Sequence, residues 1–312
     1  MKLDAAVRPG LDGARFFLVD YLPTYTGAIF VLVLIWAGAP GNAPDFSDAW
    51  RTIADLGTGE VLAIVLAVTL GTVLGHPLQL ALMRVLEGDW PRSVVRVTRH
   101  AERWRRARLA SRTRLPQGDT EPTEAQIQES GRAGTRLRRS FPPEGLVRPT
   151  ALGNVLAAME WEAGEPYGLD AVVAWPRLYP ALGSNTRLIV DDRRNTLDGA
   201  ARLAATMTVT AIVAASLLLP HGGWWTFLAL VPLAIARLAY VGAVRAALAY
   251  GECVRTAFDL HRFDMLRALH QPLPQDPEAE RALNRALSRS WRQGTGLTTP
   301  YDHPVTGSEE AS

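Results

Sequence analysis

Three ionisable residues, Asp20, His76 and Arg237, lie in or beside long apolar segments of the chain. Ionisable side chains are expensive inside a hydrocarbon layer, so residues of this kind often line an ion or proton path. Counted from the ends of their segments at a rise of about 1.5 Å per residue, His76 and Arg237 share a depth of roughly 20 Å. This shared depth motivates the hypothesis of a polar cluster of these two residues, with Asp20 as counter-charge. The interpretation that we favour is that Arg237 extends its guanidinium group to the headgroups.

The common catalytic signatures are missing from the chain: it contains no H-E-x-x-H, G-x-S-x-G, G-x-x-x-x-G-K-[ST] or G-x-G-x-x-G motif. The densest set of acidic and histidine residues is Asp259, His261 and Asp264. Positions i and i+2 of a helix face apart, so Asp259 and His261 do not converge on one metal ion. We interpret this set as a solvated helix face. The single cysteine, Cys253, excludes an intrachain disulfide, and we predict neither a metal nor a cofactor.

Four apolar segments, 20–39, 61–83, 201–220 and 224–243, indicate the class of the protein. Each is close to the ~20 residues that cross a hydrocarbon core of roughly 30 Å as a helix. The sequence therefore predicts an all-α membrane protein with four transmembrane helices and a helical cytoplasmic layer. The first segment could instead be a signal anchor, because Asp20 and Pro23 shorten it.

Arginine distribution predicts the orientation of the four helices, because basic flanks are retained in the cytoplasm. The linker between the first two segments carries only Arg51, and the turn between the last two carries no Lys or Arg. We therefore expect a multi-pass protein of a bacterial inner membrane with both termini cytoplasmic. The predicted order is a cytoplasmic N-terminus (1–19), an external segment (40–60), a cytoplasmic region (84–200), an external turn (221–223), cytoplasmic helices (244–292) and a disordered tail (293–312).

Small residues in the second apolar segment form a G-x-x-x-G spacing at Gly71 and Gly75. Such a spacing lets a neighbouring helix approach closely in lipid. Because it is common in segments rich in Gly and Ala, we favour packing within the chain over a dimer seam.

A basic stretch follows the second apolar segment: fifteen arginines and eight acidic residues lie between Arg84 and Arg148. Residues 94–114 resemble a helix that lies on anionic headgroups, with apolar side chains among the basic ones. The residues expected to contact lipid are Arg96, Arg99, Arg103, Trp104, Arg105 and Arg106. The alternative is a solvated continuation of the second transmembrane helix.

The rest of the cytoplasmic region alternates between disorder and helix. Residues 115–149 are rich in Pro, Gly and polar residues, which predicts a disordered link. Thr150 is placed to cap a helix with an apolar stripe of Leu152, Val155, Leu156 and Met159. Next, Trp175 and Arg177 are typical of a helix at the membrane boundary, with a ligand pocket as the sharper alternative.

The last apolar segment has no breaker at its inner end, so residues 240–270 are expected to continue as one helix until Pro272. Asp276 and Pro277 then predict the start of another helix, with Leu283, Leu287 and Trp291 on its apolar face.

Three stretches resemble, in this order, a pattern found in uncharacterised bacterial multi-pass membrane proteins: EGDWP at Glu87, LGNVL at Leu152 and YGLDAVVAWPRL at Tyr167. The resemblance covers most of the chain outside the link and the tail. It implies the membrane class and carries no known activity.

Three classes of function remain open on the sequence. The first is a non-catalytic membrane scaffold or signalling component whose helical cytoplasmic layer docks a protein partner, and it is the interpretation we favour. The second is an oligomeric ion channel or pore subunit. The third is a membrane enzyme acting on lipid headgroups. Expected partners are anionic inner-leaflet lipids, a cytoplasmic protein and further copies of the chain, and we expect no nucleic acid.

Overall fold

The computed structural model of the chain describes residues 22–39, 41–115, 122–221, 223–296 and 301–302. Every regular element within these ranges is helical, which confirms the all-α prediction for the part of the chain they cover. The α-helices are α1 (Leu22–Trp36), α2 (Phe46–Asp55), α3 (Thr58–Glu87), α4 (Arg92–Ser111), α5 (Glu124–Ser140), α6 (Ala151–Glu162), α7 (Ala171–Ala181), α8 (Ser184–Leu218), α9 (Leu230–Ala268) and α10 (Pro277–Gln293). Short 3-10 helices cover Glu144–Leu146, Glu165–Tyr167, Leu219–His221 and Trp224–Ala229.

Two helical stretches are long and apolar enough to cross a membrane, namely α8 and the stretch Trp224–Ala268 that contains α9. A third candidate is the pair formed by α2 and the Thr58–Gly71 part of α3, which is bent by 109°. The apolar helix over Pro23–Trp36 is shorter. The described residues thus hold two or three candidate membrane spans rather than a clear four.

The chain divides into two compact units: unit 1 comprises 1–89 and 195–246, and unit 2 comprises 90–194 and 247–312. Unit 1 has a core of mostly small apolar side chains, in which α1, α8 and the 3-10 helix before α9 meet. The cluster contains Leu34, Ala39, Ala214, Leu218 and Ala229, with Phe30 and Trp225 packed against it. At Gly27 an added Cβ would lie 2.4 Å from Thr210 Oγ1, so α1 and α8 approach closely there.

Unit 2 has a core of larger side chains, among them Leu152, Leu178, Phe258, Met265 and Leu287, all of them at most 1% exposed. Two of its helices, α6 and α10, begin where the sequence predicts. Thr150 Oγ1 accepts from the Gly153 N–H at 3.0 Å and caps α6. Asp276 accepts from the Glu278 and Ala279 N–H groups at 2.8 Å and caps α10.

Residues 115–149 are not a disordered link throughout, because they contain α5, and the prediction of disorder is wrong for 124–140. A reciprocal capping box starts this helix: the Thr123 hydroxyl accepts from the Gln126 N–H, and the Gln126 side chain accepts from the Thr123 N–H at 2.9 Å. Ala133 is buried, and Arg139 pairs with Glu252 at 3.0 Å. The buried contact of this helix is made by a small residue, so a search for large apolar residues does not predict the helix.

Helix α7 continues through Pro176, although a proline removes one backbone hydrogen bond from a helix. The Arg177 guanidinium donates to the Val173 carbonyl at 2.8 Å, which supplies a side-chain partner close to the missing bond.

Candidate functional site

Unit 2 contains a cleft of about 1190 Å³ between α10 and the segments on either side of the 3-10 helix Glu165–Tyr167. Arginines of α10 and Arg148 contribute positive charge to it, and Trp161 contributes an aromatic ring. The lining residues are Leu146, Arg148, Ala157, Glu160, Trp161, Glu165, Pro166, Gly168, Leu169, Asp170, Val172, Arg281, Arg285, Ser288, Arg289 and Arg292.

Helix α10 is fixed to the opposite side of the cleft by buried polar groups. Asn284, which is 1% exposed, donates from Nδ2 to the Tyr167 carbonyl at 2.9 Å. The Ser288 hydroxyl accepts from the Asp170 N–H at 3.0 Å. Leu287 is fully buried beside them. These contacts leave the arginines of α10 on the exposed side of the helix.

Gly168 permits the close approach of the two sides. Its φ is +73°, in the left-handed region that side chains other than glycine adopt with strain. An added Cβ would also lie 2.8 Å from the Arg281 carbonyl oxygen and 3.3 Å from Arg285 Cγ. A side chain at position 168 would therefore push α10 away from the Gly168 side of the cleft.

Charge in the cleft is only partly neutralised. Arg148 pairs with Glu160 at 3.3 Å, and Arg292 pairs with Asp170. Arg281, Arg285 and Arg289 are exposed, and none of the described carboxylates forms an ion pair with them. Glu165 is the one acidic lining residue that, within the described ranges, belongs to no ion pair. The unpaired groups leave an excess of positive charge.

A second polar cluster surrounds Arg262, which lies beside the Tyr167 ring at 4.1 Å and donates to Glu280 at 2.7 Å. The Tyr167 hydroxyl donates to Asp259 at 2.6 Å. Burial of the phenol, followed by this hydrogen bond and the negative charge of Asp259, raises the pKa of Tyr167 to about 12. The cluster holds the Glu165–Tyr167 segment against α9 and α10.

His261 connects α8 to α9. Its Nδ1 lies 3.0 Å from Asp264 Oδ2, and its Nε2 lies 3.1 Å from Thr186 Oγ1. With the proton on Nδ1 facing the carboxylate, Nε2 accepts from the Thr186 hydroxyl. The order hydroxyl, imidazole, carboxylate matches that of a general-base triad, but none of the three residues lines the cleft.

The interpretation of Asp259, His261 and Asp264 as a solvated helix face fits Asp259, which is exposed, and Asp264, whose side chain is 44% exposed, and is wrong for His261. The His261 side chain is only 16% exposed, and Asp259 binds Tyr167. Sequence spacing identifies neither Thr186 nor Tyr167 as partners, because they lie 75 and 92 residues away along the chain.

The predicted intramembrane cluster of Asp20, His76 and Arg237 stays a prediction. Asp20 lies outside the described residues, and His76 lies in α3 with its side chain outside them. Arg237 lies on α9 and is exposed. This exposure is compatible with the alternative in which Arg237 reaches the headgroups.

The helix packing predicted at Gly71 and Gly75 stays a prediction. No atom of the described residues lies within 4 Å of a Cβ added to Gly71, while the environment of Gly75 is outside the described set. A close approach of two helices is seen at Gly27, beside Thr210. Such an approach depends on the partner helix, which a spacing within one helix does not specify.

The basic helix α4 presents three faces. Glu102, which is 8% exposed, pairs with Arg105 at 2.6 Å and accepts from Asn154 at 3.1 Å, and Arg106 donates to the Pro142 carbonyl at 3.1 Å. Val97 and Trp104, seven positions apart, are 72% and 60% exposed. The third face borders an open groove of about 760 Å³, which Val97 lines together with Arg92, Val95, Arg96, Arg99, His100 and Arg103.

Trp175 and Arg177 make their described contacts inside unit 2. The Trp175 ring lies 6.1 Å from that of Phe258 and 5.8 Å from that of Tyr179. The Arg177 guanidinium lies 4.4 Å from the Trp291 ring. Both side chains thus join α7 to neighbouring helices.

Sequence reasoning missed the cleft, although one signal pointed to it. Arg281, Arg285 and Arg289 recur every four residues, a spacing that places them on one face of α10. The apolar stripe identified the buried face, and the opposite face received no interpretation. Across the described residues, no three His, Cys, Asp or Glu side chains form a group that could hold a metal ion.

No family model, no curated protein and no solved structure matches the chain.

Proposed function

We propose that the protein is a non-catalytic integral membrane scaffold or signalling component that acts through unit 2. The observation that carries the proposal is that α8 and α9 each hold a candidate span and also contribute residues to unit 2. A helical module with an open cleft is thereby built on helices suited to a membrane. Such a module needs a binding surface and no reacting group.

The proposal includes four spans in a bacterial inner membrane, with both termini in the cytoplasm. Its support is the arginine asymmetry together with the apolar character of α1. Because Cys253 is the only cysteine, Cys253→Ser gives a clean background for single cysteines at Trp50 and Arg132. An impermeant maleimide added to intact cells is expected to label position 50, and position 132 only after permeabilisation. Labelling of position 132 in intact cells would reverse the proposed orientation.

Anionic headgroups are the proposed lipid partner of α4. The exposed Val97 and Trp104 share a helix face that basic side chains flank, as on helices that lie at an interface. Brominated anionic lipid in nanodiscs is expected to quench Trp104, measured as the difference between wild type and Trp104→Phe. Trp161→Phe is the matched control, because Trp161 lines the cleft. An equal difference for both variants would argue against lipid contact by α4.

Function is tested with the full chain in liposomes and nanodiscs. We expect no ion flux above that of protein-free liposomes and no turnover of lipid headgroups. A photocrosslinker at Val172, an exposed lining residue, should capture a partner that rebinds the purified chain. Flux that changes in Arg237→Ala would replace the scaffold with a channel, and headgroup turnover would replace it with an enzyme.

A further inference from the structure

The cleft of unit 2 carries a row of arginines without carboxylate partners in the described structure. We propose that it is a binding site for a small ligand that bears two or more phosphate groups. This inference rests on the proposed function, because it names the ligand class that unit 2 recognises.

The spacing of the arginines favours several phosphates over one. Arg281, Arg285 and Arg289 follow one another along the exposed face of α10 at about 6 Å per step, so the row spans about 12 Å. A guanidinium group offers a planar fork of donors that matches two phosphate oxygens. Three such forks in line fit a ligand whose phosphates are also in line.

The unneutralised positive charge of the α10 arginines also favours binding of an anion. Like charges four residues apart on a helix repel each other and destabilise it. The acidic residues that could offset this repulsion are engaged elsewhere: Glu160 with Arg148, and Asp170 with Arg292. Only Glu165 adds an unpaired negative charge to the lining within the described residues. A bound polyanion would remove the repulsion.

The cleft is preformed by rigid contacts. Gly168 allows α10 to approach, and the bonds from Asn284 to Tyr167 and from Asp170 to Ser288 fix its position. Its volume of about 1190 Å³ is ample for a small ligand. Trp161, 48% exposed, offers a flat apolar surface for the part of the ligand without phosphate. Preformed walls reduce the entropy that binding must overcome.

Two sources could supply this chemistry, a soluble phosphorylated molecule or a phosphorylated lipid headgroup. Titration calorimetry on the full chain in neutral phosphatidylcholine nanodiscs, with pyrophosphate, tripolyphosphate and ATP as probes, tests the first source. Nanodiscs that contain an inositol lipid with two ring phosphates test the second, through competition against labelled ATP or through direct retention of the lipid. Binding in either arm supports the site and identifies its source. No binding in both arms overturns it.

Variants assign the binding to the cleft. Arg285→Gln with Arg289→Gln is expected to weaken binding about tenfold or more, because charge-assisted hydrogen bonds are lost. The matched control is Arg132→Gln with Arg136→Gln, an exposed pair at the same spacing on α5, which should leave the affinity unchanged. Glu165→Gln should tighten binding a few-fold, a gain that damage to the fold would not produce. An equal loss in the control pair, or no effect of Glu165→Gln, would overturn the assignment.

Failure of this inference is separable from failure of the proposed function. A chain that binds no phosphorylated probe, conducts no ions and still crosslinks a partner at Val172 overturns the ligand class alone. Ion flux or headgroup turnover overturns the scaffold, whatever the calorimetry shows.

Discussion

Units 1 and 2 are packed by different means. In unit 1, the α1 backbone at Gly27 meets the Thr210 side chain of α8, and the core cluster is rich in alanine. Unit 2 buries large apolar side chains such as Phe258 and adds buried polar residues, including Asn154 and Asn284. Helices in lipid gain no hydrophobic energy from association and depend on close approach, whereas helices in water gain energy from burying large side chains. The contrast is the one that the proposed membrane scaffold requires, with unit 1 in lipid and unit 2 in water.

The variant with the largest expected effect is Asn154→Ala, which tests the buried polar residues of unit 2. Asn154 is fully buried, accepts from the Arg148 N–H at 2.7 Å and donates to Glu102. Its loss leaves the buried Glu102 carboxylate short of a donor, and we expect a destabilisation of about 3 kcal/mol. Hydrogen exchange of α4 and α6 in nanodiscs measures it. Asn195→Ala, at an exposed helical position, is the control and should change stability by less than about 0.5 kcal/mol.

Gly168→Ala tests whether the cleft depends on backbone approach within unit 2. A positive φ and a Cβ placed 2.8 Å from the Arg281 carbonyl oxygen should cost about 2 kcal/mol and loosen α10. Hydrogen exchange of 277–293 should accelerate. Gly131→Ala is the opposite case, because a Cβ there meets nothing within 4 Å inside α5, and it should stabilise the chain slightly. Equal behaviour of the two variants would contradict the role of Gly168.

Gly27→Ala tests the small-residue packing of unit 1. The new Cβ would lie 2.4 Å from Thr210 Oγ1, and overpacking of this kind costs about 1–2 kcal/mol. Thr210→Ala removes the obstructing oxygen, so the double variant should recover most of the lost thermal stability in detergent. Gly71→Ala is the control in the same unit and, like Gly131→Ala, should stabilise the chain slightly, because its Cβ meets no described atom within 4 Å. A double variant no better than Gly27→Ala would show that the two residues do not meet.

Titration of Tyr167 tests the polar contacts of unit 2 through an effect that is confined to alkaline pH. Burial, then the bond to Asp259, raises its pKa to about 12, so the native chain holds this proton more tightly than the unfolded chain. The resulting stability is fully present below pH 10 and is lost as the pH rises through about 12. The tyrosinate absorbance difference between wild type and Tyr167→Phe measures the pKa. In Asp259→Asn the pKa of Tyr167 should fall but stay above 10, because burial is the larger cause of its rise. An unchanged pKa would show that Asp259 does not influence Tyr167.

In unit 2, the sequence predicted helix boundaries well where they depend on residues close together in the chain, such as a capping side chain. Thr150 and Asp276 cap the helices whose starts they predict, and residues 240–268 form one helix as expected. Helix α5 was missed because its buried contact is an alanine, which a search for large apolar residues passes over. Composition alone gave four spans, whereas length and bending in the structure support two or three.

The cleft was beyond local reasoning because its two sides are far apart in sequence. The periodic arginines of α10 show only that one helix face is basic. Which segment lies opposite depends on Gly168 meeting Arg281, a contact between positions more than a hundred residues apart. The same separation explains why the partners of His261 and Asp259 were not foreseen.

The discontinuity of unit 2 has a consequence for biosynthesis. The bond between Asp170 and Ser288 joins residues 118 positions apart, and the intervening chain includes residues 195–246 of unit 1. At about 5–20 residues per second, a ribosome needs roughly 6–24 s to deliver α10 after Asp170 has been made. During that interval the Asp170 side of the cleft is exposed to chaperones and proteases without its arginine helix. A chain truncated before Pro277 would keep both candidate spans of α8 and α9 and would still lack the α10 side of the cleft, so the cleft is complete only once translation has passed these candidate spans.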